Sequence, residues 1–216
     1  MKEIKTGVAE LDALTKAATT LLEVIKQTDG LADKIYPEEI VSVVKLHAKL
    51  ATASALIPIP GVDLIASATS IWSMYVRLNN KLEIPFKENA MKTIASGIST
   101  NLLGYVVSLG IGSGLKLIPG IGTIMGTTLM LAGLYATTLA SGWIYIKVLT
   151  ILAQKNKGII SLEGFQDEIK EFMKNNKGEI KDFINNAIKF YKKNKKELKV
   201  NPEEKEKLEK KINEYN

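Results

Sequence analysis

The sequence predicts an all-α protein, with a central apolar glycine-rich helical hairpin flanked by amphipathic helices. Three observations lead there. Residues 94–151 contain no Asp or Glu, and their only charges are Lys116 and Lys147. On both sides of that stretch, apolar residues recur every three or four positions, the period of a helix face. No segment alternates convincingly as a strand would, and Tyr105-Val106-Val107 is an isolated β-like run.

Residues 8–27 carry a helical stripe of Val8, Leu11, Leu14, Ala18, Leu21 and Ile25, and Asp29-Gly30 ends it. Tyr36-Pro37-Glu38-Glu39 opens a second helix, with Pro in the first turn and acids facing the positive end of the helix dipole. That helix runs to about Leu56 and carries Ile40, Val43, Val44 and Leu50 on its apolar face. Pro58 and Pro60 cannot both sit in a regular helix, so the chain breaks there. Asp63 is then the expected cap for a third helix. That helix runs to about Lys81 and is amphipathic around Trp72, Met74, Tyr75 and Leu78, and Pro85 marks a further break.

Lys116 divides the apolar centre into uncharged runs of about 22 and about 30 residues. Each is long enough to cross a hydrocarbon core of about 30 Å as a helix. Residues 117–120, Leu-Ile-Pro-Gly, are turn chemistry. Gly110 and Gly114 form a GxxxG pair, as do Gly122 and Gly126; Gly126 and Gly133 stand seven apart, as do Gly97 and Gly104. Small residues at such spacing let helix backbones approach closely, so these glycines are expected to be helix-packing points.

After Gln154 the composition changes to charged, amphipathic sequence. Lys155-Asn156-Lys157-Gly158 reads as a linker, and Ser161 as the cap of a short helix bearing Leu162, Phe165, Ile169, Phe172 and Met173. Gly178 is expected to interrupt, before a helix carrying Ile180, Phe183, Ile184, Ala187, Ile188 and Tyr191. Asn201-Pro202-Glu203-Glu204 starts a last helix with Leu208, Ile212 and Tyr215 on a narrow seam. This divides the chain into N-terminal amphipathic helices (1–50), an apolar core (51–153) and a basic amphipathic tail (154–216). Residues 56–71 also echo residues 115–130, with Ile59-Pro60-Gly61-Val62 over Ile118-Pro119-Gly120-Ile121. A duplicated break-then-helix unit is one reading of that echo.

Little in the composition favours catalysis. The net charge is +6, and its basic excess lies in the tail and the apolar centre. There is no cysteine, so neither a disulfide framework nor a thiolate metal site is available. The first residues include acids and lack an apolar run, unlike a secretory signal. Residues 106–114 imitate a phosphate-binding glycine loop, but no acid lies between Glu88 and Glu163 to hold a ribose. His47 is the only histidine, expected on a polar face or at the core edge rather than in a triad or metal site. The reading is therefore no enzyme, no catalytic residues, no metal and no cofactor.

Lys189, Lys192, Lys193 and Lys196 cluster behind an apolar helix face, with Lys195 and Lys199 beside them. Such a helix suits an anionic lipid surface, each lysine contributing about 1 kcal/mol. The cluster has no Arg and little aromatic interleaving, which disfavours nucleic acid.

Two separated motifs carry a family resemblance. Ile57-Pro58-Ile59-Pro60-Gly61-Val62-Asp63-Leu64, followed by Met74 and Leu78, resembles the opening of the YcjF-like bacterial domain of unknown function. Leu115-Lys116-Leu117-Ile118-Pro119-Gly120-Ile121-Gly122-Thr123, then Gly126, Ala136-Thr137 and Gly142, is similar to its closing motif. The resemblance covers about residues 50–150 and puts the motif turns at Pro60, Gly61, Asp63, Pro119 and Gly120. It implies a membrane protein associated with a GTPase. Since this chain has no GTPase motif, it would be the non-catalytic partner.

The expectation is a non-enzymatic, membrane-associated helical protein that anchors or scaffolds a partner such as a GTPase. Its hairpin, about 94–115 and 117–146, would insert with both termini on the cytoplasmic side, as the basic tail favours. Self-association into a homo-oligomer is compatible with the glycine pattern. The alternative is a cytoplasmic, soluble helical domain that buries the hairpin, either a colicin-like pore former or a protein-interaction module.

Overall fold

The computed structural model describes residues 8–29, 35–54, 62–85, 88–108 and 122–198, and a few positions between 200 and 210. Among the described residues there are helices and no strand: α1 (Ala9–Asp29), α2 (Pro37–Ser54), α3 (Val62–Lys81), α4 (Glu88–Ser108), α5 (Gly122–Lys155), α6 (Phe165–Asn175), α7 (Lys177–Lys193) and the single turn α8 (Lys195–Leu198). The fold is all-α, as expected.

One helix organises it. α5 has 34 residues and is about 50 Å long at 1.5 Å per residue. α1, α2, α3, α4, α6 and α7 all pack against it. Every residue from Leu131 to Ile146 is buried. The buried cluster draws Leu14 and Leu21 from α1, Ile40 and Val44 from α2, Met74 and Leu78 from α3, and Ile180 and Ile184 from α7. The N-terminal, central and tail segments thus contribute to a single core.

The two arms of the expected hairpin behave differently. The second is α5. The first, α4, is an ordinary amphipathic helix that packs against α3 and α5. It buries Ile94, Ala95, Ile98, Leu102 and Val106 and exposes Lys92, Thr93, Ser96, Gly97, Thr100, Asn101 and Gly104. The turn expected at 117–120 lies outside the described residues.

Helix ends follow local chemistry. The Tyr36 N–H donates to Glu39 Oε1 at 3.2 Å, which satisfies a donor at the start of α2. Glu39 also pairs with Lys81 at 2.5 Å, tying the start of α2 to the end of α3. After α5, Lys157 takes φ 54 and Gly158 φ 94, and the Gly158 N–H donates to the Ala153 carbonyl at 2.7 Å. The expected linker is therefore a helix C-cap that closes α5.

Three expected boundaries need correction. Ser161 does not cap α6: its Oγ accepts from the Glu163 N–H at 3.2 Å, and the helix begins at Phe165 after Gly164, which takes φ 72. Gly178 does not separate α6 from α7 but lies inside α7. The break is at Asn176, whose Nδ2 donates to the Phe172 carbonyl at 2.8 Å. Asn194 repeats the device on the Phe190 carbonyl at 3.0 Å, so the lysine cluster expected on one helix is split between α7 and α8. A short side-chain amide competes for a helix carbonyl better than a nearby glycine weakens the ladder. Asn201 behaves as expected of a helix start: its N–H donates to Glu204 Oε2 at 3.1 Å, and the Glu204 N–H donates to Asn201 Oδ1 at 2.8 Å.

Candidate functional site

The functional question centres on α5. It is the one helix among the described residues that is long and apolar enough to cross a membrane, over Thr128–Lys155, yet 89% of its most apolar window is buried inside the bundle.

The helices that cover α5 hold it by specific contacts. At Gly142 an added Cβ would lie 2.5 Å from Val44 Cγ1 and 3.2 Å from Met74 Sδ, so α2 and α3 both close onto the bare backbone. Beside this contact, at Ser141 and at Tyr145, α3 and α5 share hydrogen bonds. Tyr75 Oη lies 2.6 Å from Ser141 Oγ, and Tyr145 Oη donates to Asn79 Oδ1 at 2.6 Å. Each pair bridges the same step of sequence, so the two helices run parallel here. The rings of Tyr75 and Tyr145 stack between the bonds, with centroids 4.0 Å apart and an interplanar angle of 15°. All four polar groups are buried, where an unpaired one would cost about 1–3 kcal/mol.

Toward α6 and α7, α5 makes aromatic contacts. Trp143 stacks on Phe183 of α7 at 5.0 Å and meets Phe172 of α6 edge-on at 5.8 Å. Tyr145 contacts Phe165 at 5.2 Å, and Tyr135 contacts Tyr191 at 5.4 Å. The amphipathic α6–α7 pair is thereby fixed along α5.

The glycines expected to mediate helix packing have different fates. Gly133 is buried in α5. Gly97 and Gly104 are exposed on α4, and an added Cβ at either would meet nothing within 4 Å, so neither is a helix contact within the chain. The seven-residue spacing placed them on one face, but it is the outer face. Gly122 and Gly126 lie in the opening of α5, where packing lies outside the described residues. Gly110, Gly114 and the motif turns Pro60, Gly61, Pro119 and Gly120 also lie outside them. Asp63 is the second residue of α3 rather than the position before it. Gly142, where helices do close onto the bare backbone, belongs to none of the GxxxG or seven-residue pairs. Its signal was the small triplet Ala140-Ser141-Gly142 before Trp143.

His47 is deeper than a core-edge position, at 1% exposure. Burial and the nearby Arg77 charge push its pKa down to about 3, so it is neutral in the fold. Its Nε2 has no hydrogen-bond partner among the described residues. Glu10 of α1 is also buried, and desolvation raises its pKa. Among the described residues, no three metal-ligating side chains converge.

Lys189, Lys192 and Lys193 on α7 and Lys196 on α8 are all exposed. Lys170, Lys174, Lys177 and Lys181, which did not stand out in the sequence, are exposed on α6 and α7.

No family model matches the sequence, and no solved structure matches it. A curated relative, magnetosome membrane protein 22 of Magnetospirillum gryphiswaldense, is 26% identical over 107 residues, covering 49% of this chain and 55% of that protein. The chain thus spans about half the length of that relative.

Proposed function

We propose that this chain is a non-enzymatic, membrane-associated helical protein that anchors or scaffolds a partner. The observation that carries this reading is the apolar stretch Thr128–Lys155 at the centre of the molecule. The similarity to a magnetosome membrane protein and the exposed lysines of α7 and α8 support it. The resemblance to the YcjF-like domain nominates a GTPase as the partner and the cytoplasmic side for the termini. Self-association through the bare glycine face of α4 belongs to the same proposal.

The burial of α5 favours a second reading for how lipid is met. As folded, the bundle offers its polar outer faces to a membrane, and α5 reaches lipid only if α1–α4 or α6–α7 move away. That is the layout of a colicin-like protein that stores its apolar helix until it opens. Fractionation followed by carbonate extraction tests both. Recovery in the membrane pellet is expected; release by carbonate means surface association, and resistance means insertion. Recovery wholly in the soluble fraction, without any release step, sinks the membrane reading. Leakage from anionic vesicles separates opening from surface attachment.

A further inference from the structure

The bundle carries a groove that the membrane reading leaves unassigned. It lies between α4 and α6, with a volume of about 410 Å³, in the range that holds small ligands. The groove exists because α4 is held by α3 and α5 while α6 is held by α5 and α7. Gly97 widens it, since an added Cβ there would meet nothing within 4 Å. Ile94 and Ile98 form the α4 wall, and Ile169 and Met173 form the α6 wall. All four are buried beneath the opening.

One edge of the groove is cationic. Lys170 and Lys174 of α6 stand one turn apart along it, Lys177 follows at the start of α7, and none of the described residues that line the groove is a carboxylate. Lys170 pairs with Asp167 at 3.1 Å, but both side chains are largely exposed, so the pair is weak and readily exchanged. Lys181 stands over the Tyr105 ring at 5.9 Å, extending the positive edge past the end of the groove.

An apolar floor beside a cationic lip matches a ligand that is apolar at one end and anionic at the other. We propose that the α4–α6 groove binds a single anionic phospholipid, its acyl chain on the isoleucine and methionine floor and its phosphate against Lys170, Lys174 and Lys177. Nucleic acid, charged along its whole length, would leave the floor unmatched. This proposal rests on the membrane reading and gives it a headgroup preference and a specific seat, distinct from the α7–α8 lysines.

The test uses the full chain and dihexanoyl phosphatidylglycerol below its micelle-forming concentration, followed by calorimetry, with vesicle co-sedimentation run in parallel. Saturable one-site binding is expected, at least tenfold tighter than for dihexanoyl phosphatidylcholine. The triple variant Lys170→Gln, Lys174→Gln, Lys177→Gln should bind on the order of 100-fold more weakly, at about 1 kcal/mol for each lysine. Gly97→Leu fills the groove from an exposed helix position and should abolish short-chain binding while keeping the thermal melt. Gly97→Ala should bind nearly as the parent does. Absence of short-chain binding, or binding unchanged by Gly97→Leu, overturns the proposal even if vesicles still pellet the protein. A glutamate-rich peptide that binds as tightly and is insensitive to Gly97→Leu also overturns it. Failure to pellet with any vesicle, together with a soluble fractionation, removes the membrane reading itself.

Discussion

α4 and α5 look like equivalent arms in the sequence and are opposites in the molecule. Both are almost free of charge within residues 94–151, and both are rich in Gly, Ser and Thr. In α5 those small polar residues are buried: Thr137, Thr138 and Ser141 are fully enclosed. In α4, Ser99 is buried, but Ser96, Thr100 and Asn101 face outward with Gly97 and Gly104. Lack of charge therefore does not decide whether a helix is covered. What decides it is where large apolar residues fall. α4 concentrates them on one side, whereas α5 distributes Leu, Ile, Trp and Tyr around its whole circumference and needs neighbours on every side.

The largest test of this contrast is Trp143→Ala in α5. It removes the ring packed between Phe172 and Phe183 and should cost about 3–5 kcal/mol, read from urea unfolding. A loss below about 1 kcal/mol would mean that α6 and α7 do not close over α5 in solution.

The next concerns the covering layer. His47 of α2 has a folded pKa of about 3, below its ordinary value of 6.5, because it is buried and close to Arg77. The unfolded chain binds a proton in this interval that the folded chain does not. The histidine's contribution is therefore complete above about pH 6.5 and declines as pH falls, by up to about 1.4 kcal/mol per unit. Comparing the parent with His47→Met at pH 6 and pH 4 should show about 2–3 kcal/mol more acid loss in the parent. Glu10 works in the other direction: its raised pKa adds stability as pH falls. Parallel pH profiles for parent and variant would place His47 in water.

A matched glycine pair then isolates packing from backbone effects. Gly142→Ala should destabilise by about 1–3 kcal/mol, because the new methyl meets Val44 and Met74. Gly104→Ala should stabilise by about 0.5–1 kcal/mol, since the helix gains propensity and nothing obstructs the methyl. Equal signs at the two sites would erase the distinction between the arms. The smallest expected loss is Tyr145→Phe, about 1–2 kcal/mol, which leaves the Asn79 side chain short of a buried partner. Its effect should be coupled to Tyr75→Phe in a double-mutant cycle, because the two rings stack.

The sequence by itself determined the helical class and the stripes of α1, α2, α6 and α7. These follow from local rules: apolar period, proline geometry and capping chemistry act within a few residues. The sequence leaves duplication as one reading of the Pro-Gly echo, whose turns lie outside the described residues. It determined much less about the site. GxxxG and seven-residue spacing describe a face but not what stands opposite it, so Gly97 and Gly104 read like contacts although they face outward. The partners Tyr75–Ser141 and Asn79–Tyr145, the approach of Val44 to Gly142, and the groove between α4 and α6 join positions far apart in the chain. Only the tertiary structure decided these, because the free energy of covering an apolar helix depends on which surfaces meet it, and no local stretch of sequence contains both sides of that contact.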